Sequence, residues 1–68
     1  MSHVAKVIEI VGSSDKGWED AANEAIEIAS KTINGITGVE VEHMTATVTD
    51  GKISNYKTTV KIAFAVEH

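Results

Sequence analysis

The side chains of this chain that could do chemistry are few and scattered. Ser13, Ser14, His43 and Asp50 supply the residue types of a nucleophile, base and acid set. No strained strand-to-helix elbow presents either serine, and both are better explained as loop and cap residues, so the chain is not read as an enzyme. Glu40, Glu42 and His43 could approach a divalent cation, since carboxylates suit calcium or magnesium and imidazole suits zinc. Their spacing matches no metal motif, and the ligands of such an ion stay unassigned. His3 and His68 are terminal and make poor anchors. Lys57 and Lys61, four residues apart, could together hold an anion such as a coenzyme A-like phosphate. The chain has no cysteine, which excludes disulfides and thiolate metal sites.

The elements that must position these groups are legible from periodicity. Val4 to Val11 reads as a strand, with Ile8 and Ile10 separated by Glu9. Gly12, Ser13 and Ser14 break that pattern, and Ser14 or Asp15 can cap a helix beginning near residue 15 or 16, with Glu19 and Asp20 at the positive end of its dipole. Trp18, Ala21, Ala22, Ala25, Ile28, Ala29, Thr32 and Ile33 recur at the spacing of one helical face. Glu27 and Lys31 are spaced for an i,i+4 pair, and Asn34-Gly35 supplies a left-handed stop. Strand character returns from Gly38 to Val48, and Asp50-Gly51 is a strong hairpin signal. In the last strand Tyr56, Thr58, Val60, Ile62, Phe64 and Val66 alternate with polar or small residues, so this set should face the helix.

These elements predict one α+β domain over residues 1–68, in the order β-α-β-β. The last strand lies in the middle of a three-stranded antiparallel sheet, and the helix is packed across one face. The opposite face carries Thr59, Ala63 and Ala65 beside Lys57 and Lys61, a set too small and apolar for an ordinary solvated surface, so it is expected to meet other subunits or a ligand.

Composition points the same way. A chain of 68 residues buries only about 60% of its unfolded surface, so its core is marginal and association is the remaining support. The formal charge of −4 and the six scattered lysines leave no basic stripe for nucleic acid. MSHVAKVIEIVG has neither the apolar length nor the cleavage site of a signal peptide, and no run approaches membrane-spanning length, so a cytoplasmic location without a membrane partner is expected.

The segments KVIEIVGSSDKGWEDAANEAI, ASKTI, GVEVEH and DGKISNYKTTVKIAFAVE resemble the dodecin family over essentially the whole chain. The most telling parts are the run from Gly12 to Ala21 and the DGK-to-FAVE ending. The resemblance implies a homododecameric shell holding flavin (FMN, riboflavin or FAD) as paired rings between subunits, a storage role and no catalysis. Trp18 matches a tryptophan that many bacterial members carry away from the flavin. The family's ring-stacking tryptophan falls instead at Gly38, and its ring-bonding glutamine falls at Lys57. His43 lies near the positions that face the ribityl chain. Gly38, His43 and Lys57 are therefore the expected contact positions, two of them changed, and flavin binding should be weakened or altered. The same shell holding a divalent cation or a coenzyme A-like anion, or serving as a purely structural assembly, is the alternative.

Overall fold

A computed structural model describes residues 4–66, so the terminal His3 and His68 lie outside the described residues. The elements are β1 (Val4–Ser14), α1 (Trp18–Ala29), β2 (Ile36–Thr49) and β3 (Lys52–Val66). They form one sheet in the order β1-β3-β2, with both pairings antiparallel. The predicted architecture is thus the observed one, with the last strand central.

The boundaries differ in instructive ways. Gly12, Ser13 and Ser14 do not break β1 but continue it, paired with Thr58, Lys57 and Tyr56. Glycine is tolerated there because α1 crosses at that point: a Cβ on Gly12 would lie 1.9 Å from the Ala21 carbonyl oxygen. The helix consequently begins at Trp18, later than residue 15 or 16, and its first residue follows an extended Gly17 with no side-chain cap. Ser14 has a different job from the capping predicted for it. Its Oγ accepts from the Lys16 backbone N–H at 2.9 Å and donates to Asp20 Oδ2 at 2.6 Å, so it ties the connection to the first helical turn.

The helix ends at Ala29, short of Ile33, through turn hydrogen bonds from the Lys31, Thr32 and Ile33 N–H groups. Lys31 therefore lies beyond the last helical residue and the i,i+4 geometry with Glu27 is not realised. Gly35 does adopt the left-handed conformation, φ 77°, where its carbonyl accepts from the Ala65 N–H. It serves the approach to β2 and not the helix stop.

The core is small. Ala21, Ala25 and Ala29 form the buried stripe of α1 against Val60 and Ile62 of β3, with Ile8, Ile10, Ile26, Ile33 and Ile36 packed around them. Small residues on the stripe let helix and sheet approach closely. Ile28, predicted to be inside, is 59% exposed. The helix packs on β1 and β3 and hardly meets β2. Val39, Val41, Met44 and Val48 of β2 are consequently exposed. The extents of 54 × 20 × 13 Å and a radius of gyration of 14.1 Å describe a thin slab, against about 11 Å for a compact chain of this length.

Candidate functional site

Cross-strand partners in a ladder share a face of the sheet. The register sets Gly38 opposite Ala63, which is also paired with Val7; His43 opposite Thr59, paired with Val11; and Thr45 opposite Lys57, paired with Ser13. All of these lie on the side away from α1, because the intervening β3 residues Thr58, Val60 and Ile62 are the ones buried against the helix. The three expected contact residues thus occupy one helix-free face and all are exposed.

They are not close together within one copy. Ala63 and Lys57 are six residues apart along β3, roughly 20 Å at the rise of a strand. His43, through Thr59, lies two residues from Lys57, roughly 7 Å along the ladder. The face therefore carries a polar end with His43, Lys57 and Thr45 and, well separated, a small and apolar end with Gly38, Ala63 and Val7. Gly38 has no positive φ and open space where a Cβ would go, so the apolar end is a flat shelf.

Between the two ends lies a charged row that sequence reasoning located only in part. Lys61 faces Glu9 on one neighbouring strand and Glu40 on the other, and its Nζ lies 2.6 Å from Glu42 Oε1. Glu42 follows Glu40 on this face by alternation, and a β-bulge between Val41 and His43 then turns His43 onto the same face; a bulge has no signature in β-branched content. The hydrogen bond and charge of Lys61 hold the Glu42 carboxyl below the usual carboxylate range, and Glu42 in turn raises Lys61. Of the two lysines expected to hold an anion, both on this face, Lys61 is ion-paired with Glu42. Among the described residues no group of three or more His, Asp or Glu side chains could hold a metal ion, so Glu40, Glu42 and His43 do not converge on one.

The aromatic side chains are all elsewhere. Trp18 and Tyr56 meet edge to face, with centroids 4.8 Å apart and planes at 81°. The Trp18 indole N–H donates to the Thr45 carbonyl at 2.8 Å, and Thr58 Oγ1 donates to the Trp18 carbonyl at 2.8 Å. Trp18 thus bolts the start of α1 to β3 and β2 on the helix side, and the sheet separates it from Gly38. Phe64 alternates with Ala63 and Ala65 onto the helix side as well. A cavity of about 420 Å³ runs along the free edge of β1 beside α1, lined by Ile10, Val11, Gly12, Ala25, Ile28 and Ala29 among others. It contains none of the three expected contact residues. Its walls include exposed Val11 and Ile28, which marks it as uncovered apolar surface more than as a polar ligand pocket.

Comparison with known proteins gives a consistent result. The family model for Dodecin matches residues 4–67. The dodecin of Thermus thermophilus is 30% identical over 67 residues, covering 98% of this chain and 97% of its own. The calcium dodecin of Mycobacterium tuberculosis is 37% identical over 62 residues, covering 90% of this chain and 86% of its own. Among solved structures, the dodecin from Streptomyces davaonensis superposes with a TM-score of 0.93 at 29% identity, over the whole of both chains. The calcium dodecin structure, described as having a novel calcium-binding site, gives a TM-score of 0.81 at 34% identity over 94% of this chain and 91% of its own.

Proposed function

Because the chain belongs to the dodecin family, we propose that it assembles as a hollow shell of twelve copies that sequesters a planar ligand of the flavin class against the helix-free sheet face, where copies meet. The observation that carries this reading is the spacing on that face. Gly38, His43 and Lys57 share one exposed surface, yet the shelf and the polar end are separated by more than a three-ring ligand spans. One ring can be gripped at both its face and its polar edge only if neighbouring copies supply the two ends. Assembly also answers the uncovered valines of β2, the open groove beside β1 and the slab-like shape.

The residues present fit a flat heteroaromatic ring, though loosely. Gly38, Ala63 and Val7 offer van der Waals contact to a ring face, Lys57 can donate to a ring carbonyl, and His43 can bond a ribityl hydroxyl. When bound, a flavin supplies a light- and redox-active ring, and the chain's part is to bind it and exclude water. With no aromatic side chain on this face, stacking of about 0.5–1.5 kcal/mol beyond buried area is lost. Binding is therefore weaker than an aromatic platform gives, and the ring's fluorescence is left largely unquenched.

Fluorescence titration with riboflavin tests this directly: saturable binding with most of the emission retained supports it. A protein that takes up no flavin contradicts it. The relationship to a calcium dodecin favours one second reading, a divalent cation. No metal-binding cluster exists among the described residues of one copy, so such an ion would need carboxylates from several copies, and calorimetric titration with calcium distinguishes it.

A further inference from the structure

We infer that the anionic row of Glu9, Glu40 and Glu42 about Lys61, with Glu42 ion-paired to the Lys61 ammonium, makes this face select an uncharged flavin over its phosphorylated form. The inference rests on the flavin reading above and names the ligand class within it. Lys61 is two residues from Ala63 along β3, roughly 7 Å from the shelf, and is the lysine of the helix-free face nearest to it. A five-carbon ribityl tail starting over Gly38 comes within range of this row and falls well short of Lys57 in the same copy. Lys57 of a neighbouring copy is engaged at the ring's polar edge.

The row that meets the tail is anionic. Glu42 takes up the Lys61 ammonium at 2.6 Å, while Glu9 and Glu40 flank the same lysine. Three carboxylates about one ammonium leave a formal charge of −2 per copy. A flavin phosphate brings about −1.5 to −2 more at neutral pH, and among the described residues the only lysine at that level of the face is Lys61, already ion-paired with Glu42. Like charges within a few ångströms to a Debye length repel at partly exposed sites, and the repulsion is screened by salt. Twelve such chains, each of net charge −4, oppose an anionic ligand at the scale of the whole shell too. Riboflavin carries the same ring and ribityl chain without the charge.

The test compares riboflavin and FMN on the intact protein and on Glu42→Gln, at low and at physiological salt. In a single copy the Glu42–Lys61 pair is partly exposed, with side chains 26% and 41% accessible, and such pairs contribute little to stability, so the variant should keep its fold, and light scattering checks that its mass is that of the unmodified protein. Riboflavin should bind the unmodified protein at least tenfold more tightly than FMN at low salt, with the ratio shrinking as salt rises. Glu42→Gln removes the carboxylate bonded to Lys61 and leaves Glu9 and Glu40 about it, and it should bring the ratio to within about threefold by improving FMN more than riboflavin. Equal or tighter binding of FMN by the unmodified protein, or a ratio unmoved in the variant, overturns the inference while leaving the flavin reading intact. Failure of both flavins to bind removes that reading, and the inference with it.

Discussion

At the scale of the residue, the proposed flavin site turns on the two positions where the family resemblance implies a stacking tryptophan and a ring-bonding glutamine, Gly38 and Lys57. A glycine in a strand can reflect a backbone that no other residue adopts, but Gly38 has no positive φ and meets nothing where a Cβ would be. Gly38→Trp should therefore fold, and it restores an electron-rich ring to the shelf. Riboflavin affinity should rise at least tenfold and the bound emission should fall, as read by fluorescence titration. Lys57→Gln alone should change little, and the double variant should bind best because an amide both donates and accepts at the ring edge. Unchanged emission in Gly38→Trp would place the ring elsewhere. Trp18 is a different kind of residue: its indole N–H donates to Thr45 and its ring meets Tyr56 on the far side of the sheet. Trp18→Ala should cost roughly 3 kcal/mol in urea unfolding, the low end for a large aromatic because the side chain is only half-buried. Loss of flavin without loss of stability would instead make Trp18 the platform.

At the scale of the element, the order of strands and helix was readable from the alternation in β3, the alanine-rich helical stripe and the Asp50-Gly51 turn, which adopts the two positive φ values that such a hairpin needs. What was not readable depends on tertiary contact. Gly12 looks like a strand breaker until α1 is laid across it, where it is the residue that permits the crossing. Gly12→Ala puts a methyl carbon into the Ala21 carbonyl, and the strain should lower stability by about 3 kcal/mol, the upper part of the usual range for overpacking. A thermal melt checks this, and an unchanged midpoint would mean that helix and sheet are free to separate. Similarly, alternation alone puts Gly38, Glu40 and Glu42 on one face and His43 on the other, and it is the bulge between Val41 and His43 that brings His43 opposite Thr59 and onto the face of Gly38 and Lys57. The distance between Gly38 and Lys57 was equally hidden, because motif matching aligns positions without measuring the ladder between them.

At the scale of the whole molecule, the isolated chain is a thin sheet with one helix, a core of a few alanines and β3 side chains, and apolar residues left open along β2 and beside β1. Such surface is what a soluble chain covers by self-association. The spacing on the helix-free face gives that association a functional consequence, since no single copy presents both the shelf and the polar end to one ring. Ligand binding should therefore be a property of the assembly and vanish with it. Native mass spectrometry of the protein mixed with riboflavin reads copy number and ligand number in the same spectrum. The account predicts a species of twelve 7.2 kDa chains carrying riboflavin, with none on any monomer released from it. A monomer or dimer as the main species, or a single chain that retains riboflavin, would contradict it.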